Sequence, residues 1–372
     1  MKRSFVHATV VTPGKRLENA TIITDGETIL EVGTALPPQG VAIDAHGALA
    51  VPGFIDIHTH GACGVDCTDD NPQAIEVVAK AKQEEGCALF APTTLTLARE
   101  QLADTMRRVA AYGNDYAHVL GVHLEGPYIN PSCCGAQNPA FVRGCDAGEI
   151  AALKALAPIA QVTYAAETDE DGSFAAALRE MGITPSCGHS KATYAQFKKS
   201  YDSGLRHLTH FCNQMTPLHH RDIGLVGAGL LHDDVNIELI CDKIHLSPEM
   251  IQLVFARKPV GHILLITDSM RASHLPDGPS SLGGLEVIVK DGQARLASNG
   301  ALAGSVLKMN LALKNVRDVT GLPLEQIIQT TSWNQACEAG LSNRFGKIEP
   351  GFADAIALLD PETFEVVRQP WR

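Results

Sequence analysis

Eight short apolar runs, each followed by an amphipathic helical stretch, predict an α/β chain whose parallel strands close into a (β/α)8 barrel of the TIM type. Two further observations shape that expectation: both ends of the chain are β-rich, and 33 glycines and only 19% charged residues occur among 372. Near-continuous apolar strands alternating with helices mean a sheet covered on both faces, because only crossover helices keep both faces dry. Low charge fits a chain with much buried backbone. The length suits a barrel of up to about 250 residues plus a smaller attachment.

The N-terminal strands are expected at 5–11, 21–24, 28–32 and 41–44, separated by Pro13-Gly14, Asp25-Gly26 and Pro37-Pro38. Segments 353–359 and 364–368, after Pro350-Gly351, read the same way. Residues 1–50 and 350–372 are therefore expected to form one small β-sandwich domain, and residues 51–349 the barrel. Its strands fall at 54–58, 89–93, 119–125, 162–167, 184–189, 206–210, 237–242 and 263–268. The helices carry their own punctuation: Ser247-Pro248-Glu249 supplies an N-cap, a proline at the first helical position and an acid in the first turn. Asp291-Gly292 marks a hairpin between 285–289 and 294–297, and two or three helices follow to about residue 341. An open doubly wound sheet is the alternative, but the chain has no G-x-G-x-x-G, no phosphate loop and no G-x-S-x-G elbow.

Thirty basic against forty-two acidic residues give a net charge of −12, and no basic block exceeds a pair. That excludes an electrostatic footprint for nucleic acid or an anionic membrane. The longest uncharged apolar stretch, 86–98, contains Pro92 and is shorter than the roughly 18 residues of a membrane helix. Polar residues and Pro13 interrupt any leader-like apolar core, so a soluble, cytoplasmic protein is expected. The ten cysteines include no C-x-x-C pair and read as reduced thiols, Cys133-Cys134 being the one unusual juxtaposition.

His58-Thr59-His60 places two imidazoles on one side of an extended chain. The spacing alone is weak, since about 0.6 such pairs would arise by chance. Its location carries the weight, because the pair ends the first barrel strand, and barrel active sites lie at the C-terminal ends of strands. Glu125 ends strand three, His189 strand five, His210 strand six and Asp268 strand eight. Five strand ends thus present metal-ligand types to one barrel mouth. Three imidazoles with carboxylates in open coordination suit zinc or iron and leave a place for water. His123 faces the same side as Glu125 and reads as a hydrogen-bonded core group; Glu167, ending strand four, is a candidate outer neighbour, and His207 reads as structural.

The opening Val51-Pro52-Gly53-Phe54-Ile55-Asp56-Ile57-His58-Thr59-His60-Gly61 resembles that of the amidohydrolase superfamily. Further segments resemble one branch of it, the N-acetylglucosamine-6-phosphate deacetylases. These are His123-Leu124-Glu125-Gly126-Pro127, Gly135-Ala136-Gln137-Asn138-Pro139, Gly188-His189-Ser190, Thr209-His210-Phe211-Cys212-Asn213, Thr267-Asp268 and Leu302-Ala303-Gly304-Ser305. The resemblance implies that Glu125, His189 and His210 hold a principal metal and that Asp268 is the catalytic acid and base. His58 and His60 allow a second ion. Gln137 stands where the family usually has a histidine near the substrate carbonyl, and Asn213, Gln214, Arg221 and His245 fall at substrate positions. A homodimer is implied, in which Arg221 and His245 can act across the interface on an amino-sugar phosphate. Lys243 replaces the usual glycine before the phosphate-side histidine, and Ser269-Met270 the small residues after Asp268. Two rival readings stand beside deacetylation of N-acetylglucosamine 6-phosphate. One is another amidohydrolase: a cyclic amidase, a deaminase or a deacetylase of a different amino sugar. The other is a catalytically silent barrel used for assembly, for which six converging ligand types would have no use.

Overall fold

The computed structural model describes residues 2–371. The chain opens with β1 (Arg3–Thr12), β2 (Lys15–Thr24), β3 (Ile29–Gly33), β4 (Val41–Asp44) and β5 (Leu49–Pro52). Gly14 at φ +73° turns β1 into β2, as Pro13-Gly14 predicts, and Thr12 pairs with Lys15. Then the alternation begins: β6 (Phe54–Thr59), a small hairpin of β7 (Gly61–Ala62) and β8 (Val65–Asp66), α1 (Ala74–Glu84), β9 (Cys87–Pro92), α2 (Arg99–Ala111), β10 (His118–Val119) and β11 (Val122–Glu125). It continues through α3 (Ala147–Lys154), β12 (Ile159–Tyr164), α4 (Ser173–Glu180), β13 (Thr184–Cys187), α5 (Tyr194–Asp202), β14 (His207–Leu208), α6 (Gly224–Leu231), β15 (Asn236–Ile240), α7 (Pro248–Arg257) and β16 (Ile263–Ile266). The final part holds β17 (Gly278–Leu282), β18 (Leu285–Lys290), β19 (Gln293–Leu296), α8 (Met309–Thr320), α9 (Leu324–Ile327), α10 (Trp333–Glu338), β20 (Ile356–Leu359) and β21 (Val366–Arg368).

Each of the eight expected runs is a strand, and all pair in parallel. One sheet runs β10-β9-β6 and the other β11-β12-β13-β14-β15-β16. The third run is split into β10 and β11 at Leu120-Gly121, where Gly121 takes φ +146°. Parallel bridges tie the two sheets at both junctions, Thr93 to His123 and Thr59 to Ser269. The strand residues are almost all buried and share one large apolar core with the helices. Ser247 caps α7 by accepting the Met250 N–H, with Pro248 behind it, as the sequence indicates.

The terminal strands form one sheet, ordered β21-β20-β5-β1-β2-β3, with β4 also on β1. This differs from the expected two-sheet sandwich. β1 is ten residues long and pairs with β2 along one edge and with β4 and then β5 along the other, so a single bonded sheet accommodates every strand. Alternation divides its two faces. Ala50, Ile356 and Leu358 join Val10 and Ile22 in a separate core, while Leu49, Val51, Ala357 and Leu359 pack into the main one.

After β16, the predicted hairpin forms β18 and β19, and β17 adds a third antiparallel strand that its Gly-Pro-Ser-Ser composition conceals. This small sheet buries Leu282 against a cluster containing Leu95 and Ala136. All ten cysteines are free thiols. No helix among the described residues is long and apolar enough to cross a membrane.

Candidate metal centre and active-site cleft

The ligand types named above meet at the C-terminal ends of the parallel strands, all of them buried. Glu125, the last residue of β11, is central. Its Oε1 lies 3.0 Å from His210 Nε2, 3.2 Å from His189 Nε2 and 3.4 Å from His58 Nε2, and its Oε2 lies 3.2 Å from His60 Nε2. Candidate ligand atoms of His58, His60 and Glu125, and again of Glu125, His189 and His210, fall within 4.8 Å of one another. Asp268 joins from the other side, with Oδ1 3.3 Å from His60 Nε2 and 3.5 Å from His58 Nε2. His189, His210 and Asp268 take φ of +48°, +30° and +48°. These are conformations that side chains rarely adopt and that cluster where function holds them.

The hydrogen bonds around this group decide which nitrogens are bare. His189 Nδ1 donates to the Cys133 carbonyl at 2.7 Å, and His58 Nδ1 donates to Glu238 Oε2 at 2.9 Å. In each ring the proton is thereby fixed on Nδ1, and the Nε2 lone pair is directed at Glu125. His58 Nε2 is buried without a hydrogen-bond partner, while His189 Nε2 and His210 Nε2 approach to 3.0 Å. Imidazole Nε2 atoms converging on a carboxylate are a donor set for a divalent cation once any protons on them are displaced, so the residues fit one. Burial pushes the Glu125 carboxyl up, but His58 and His189 outweigh it and hold its pKa well below the usual range. Conversely, Asp268 and Glu125 raise the His60 pKa well above its ordinary value, and Glu125 lifts that of His210 to about 9, both against the effect of burial. That negative field attracts a metal ion, which competes with those protons. The Asp268 carboxyl is itself held low, burial again opposing and His58 and His60 prevailing.

An outer layer orients this group. Glu238, buried in β15, accepts from His58 Nδ1, from the His210 N–H at 3.0 Å, from Gln161 Nε2 at 2.7 Å and from His207 Nε2 at 3.0 Å. Sequence reasoning missed it; the available signal was one acid in the otherwise apolar run Ile237-Glu238-Leu239-Ile240. His207 is part of this layer too, its Nδ1 lying 2.8 Å from Glu338. Burial opposes its charge, yet Glu338 and Glu238 raise its pKa to about 10. An unfolded histidine titrates near about 6.5, so this pairing stabilises the fold fully below that pH and the stabilisation is lost as pH rises through 10. Melting temperature should therefore fall more steeply between those two pH values for the wild type than for His207→Gln. His123 lies beneath the ligands as a core group, bonded to Thr163 Oγ1 at 2.7 Å, and burial with the neighbouring His58 keeps its pKa well below the ordinary value. Glu167 does not reach the ligands; it binds Asn130 Nδ2 at 2.7 Å, the Lys191 N–H at 2.6 Å and the Ser190 hydroxyl, bracing the loop behind His189.

Above the ligands opens a cleft of about 300 Å³. Gln137 lies at its base: the Thr96 N–H donates to its Oε1 at 2.6 Å, which fixes the amide so that Nε2 donates to Glu125 Oε2 at 2.5 Å. Leu95, Leu282 and Leu302 line the cleft, as do Asn213, Gln214 and His245. His245 is oriented by Asp242, whose Oδ2 accepts from its Nδ1 at 2.7 Å. Within one chain Arg221 stands apart, exposed in a loop beside His220 and outside the cleft lining. Cys133 contributes through its backbone carbonyl, which fixes His189.

A sequence profile described as the amidohydrolase family matches residues 49–370. The chain is 35% identical over 355 residues to an N-acetylglucosamine-6-phosphate deacetylase of Lysinibacillus sphaericus, covering 94% of this chain and 91% of the relative. It is also 35% identical over 332 residues to an N-acetylgalactosamine-6-phosphate deacetylase of Escherichia coli O157:H7, covering 88% of each. The solved structure of N-acetylglucosamine-6-phosphate deacetylase from Thermotoga maritima superimposes with a TM-score of 0.88 at 34% identity, over 98% of this chain and 97% of that one. With strand-end ligands, family profile and relatives in agreement over nearly its whole length, the chain belongs to the amidohydrolase family.

Proposed function

We propose that this protein is a metal-dependent deacetylase that hydrolyses N-acetylglucosamine 6-phosphate to glucosamine 6-phosphate and acetate. The observation that carries this reading is the gathering of Glu125, His60, His189, His210 and Asp268 at the floor of one cleft, with the buried His58 beside Glu125. Glu125, His189 and His210 would hold a divalent ion, zinc or iron, and His58 and His60 would allow a second. When bound, such an ion supplies Lewis acidity, polarising an amide carbonyl and acidifying water. Asp268, held ionised, takes the proton of the attacking water and returns it to the departing amine. One carboxylate can serve both steps, because the proton it takes up is the one an amine needs in order to leave. Gln137 keeps Glu125 oriented, and Asn213, Gln214 and His245 hold the sugar phosphate.

The two parallel sheets, bridged at both junctions, are read as one closed eight-stranded barrel over residues 51–349. Residues 1–50 and 350–372 are read as the accessory β domain. Ten free thiols suit the reducing cytoplasm. Arg221, exposed and away from its own cleft, would complete the phosphate site of a second subunit in a homodimer, whereas His245, expected to be able to act across that interface, lines the cleft of its own chain.

Acetate release across a panel of N-acetyl amino sugars, each with and without 6-phosphate and including both gluco and galacto epimers, tests the reading directly. Preference for the phosphorylated gluco sugar is expected. Arg221→Ala should erase the preference for phosphate, since losing a charge-assisted contact costs roughly 1.5–3 kcal/mol, about ten- to over a hundredfold in kcat/KM. The unphosphorylated sugar should be unaffected. Equal losses on both would assign Arg221 to the fold or the subunit contact instead.

A further inference from the structure

Behind the cleft floor lies a polar cluster that metal binding does not use. Lys82, on α1, is fully buried. Its ammonium lies 3.0 Å from Glu85 Oε1, 3.3 Å from Asp56 Oδ2 and 3.2 Å from Thr267 Oγ1. Asp56, on β6, accepts the Thr267 hydroxyl at 2.6 Å on Oδ2 and the Thr267 N–H at 3.2 Å on Oδ1, with the His58 N–H at 3.4 Å from the same oxygen. Glu85 bonds His274 Nε2 at 2.9 Å and accepts the Met309 N–H at 3.0 Å. Lys82 and Asp56 both converge on Thr267, the residue before Asp268.

Thr267 is also held from the far side. Its carbonyl accepts the Ser305 hydroxyl at 2.5 Å, and its hydroxyl oxygen lies 3.2 Å from the Ser269 N–H. The Asp268 N–H donates to the His58 carbonyl at 2.9 Å, and the Asp268 carbonyl accepts the Ser305 N–H at 2.7 Å. The backbone that carries Asp268 in its left-handed conformation is thereby fixed by partners on strand one, α1 and the segment around Ser305.

We propose that Lys82, Asp56 and Thr267 are positioning residues that hold the Asp268 carboxylate in register with the metal ligands; this rests on the reading of Asp268 as the proton-transfer group. A buried ion cluster is a poor source of stability, because well-packed apolar residues of similar volume do as well or better. What this cluster supplies is geometry: three of its hydrogen bonds end on one threonine, and that threonine sets where the next side chain points. A displacement of about 1 Å in a reacting group can cost about a hundredfold in rate.

Thr267→Val tests this, since it keeps the β-branched shape and the Lys82–Asp56 ion pair and removes only the hydroxyl. It should lower kcat by about ten- to a hundredfold while KM and bound metal stay near wild type, and Thr267→Ser should restore kcat. Combined with Asp268→Asn, the same change should cost nothing further, because the group it positions is already disabled. Lys82→Met paired with Glu85→Gln leaves the net charge of the cluster unchanged and should show the same selective loss of kcat. Unchanged kcat in Thr267→Val overturns the proposal, as does an equal fall in the Asp268→Asn background. Near-normal kcat in Asp268→Asn alone would overturn the underlying reading, and is told apart because it appears with Thr267 intact.

Discussion

Replacing Asp268 by asparagine will slow turnover by about 10²–10⁴ while leaving fold and bound metal in place, the usual contribution of a positioned acid–base group. The carboxamide has nearly the same shape but can neither accept the water proton nor return it. Asparagine is also, after glycine, the residue that best tolerates a left-handed backbone, so the φ of +48° at this position is not disturbed. The measured loss therefore reports chemistry and not backbone relaxation. Single-turnover acetate release with metal analysis on the same preparation is the required measurement. A variant that retains near-normal turnover would move the proton transfers to another group.

Glu125→Gln should have the other large effect. This carboxylate is within 3.4 Å of four imidazole Nε2 atoms, and a neutral amide in its place removes the one anion common to both histidine pairs. Most bound metal should be lost on purification, and turnover should fall by about 10³ or more, the several kcal/mol expected of Lewis-acid assistance at about 1.4 kcal/mol per decade. Wild-type protein stripped with a strong chelator should lose activity in parallel and recover it when zinc or iron is restored. Full activity in the stripped protein would end the metal-dependent mechanism.

The strand ends were legible because each parallel strand is a short apolar run closed by a polar residue, and most ligand-type residues at that boundary turn to one site, Glu167 being the exception. His58, His60, Glu125, His189, His210 and Asp268 all follow that rule. Glu238 breaks it, lying inside its run, and its significance comes from partners on strands one, four and six that periodicity cannot bring together. Lys82 was hidden for the opposite reason. In Ala79-Lys80-Ala81-Lys82-Gln83-Glu84-Glu85 it reads as one more solvated charge on an amphipathic helix, and only the packed structure shows it directed inward. Arg221 was the least legible position: it lies in an exposed loop outside the cleft lining.

Strand β20 pairs with β5 although roughly 300 residues separate them in the chain. On a ribosome, the edge of β5 therefore stays open while all the parallel strands are made, and β5 runs through Gly53 directly into β6, which carries His58. An unpaired edge of this kind is where a nascent chain is most exposed to wrong pairing. β20 thus relieves β5, the strand that leads into His58, of that hazard.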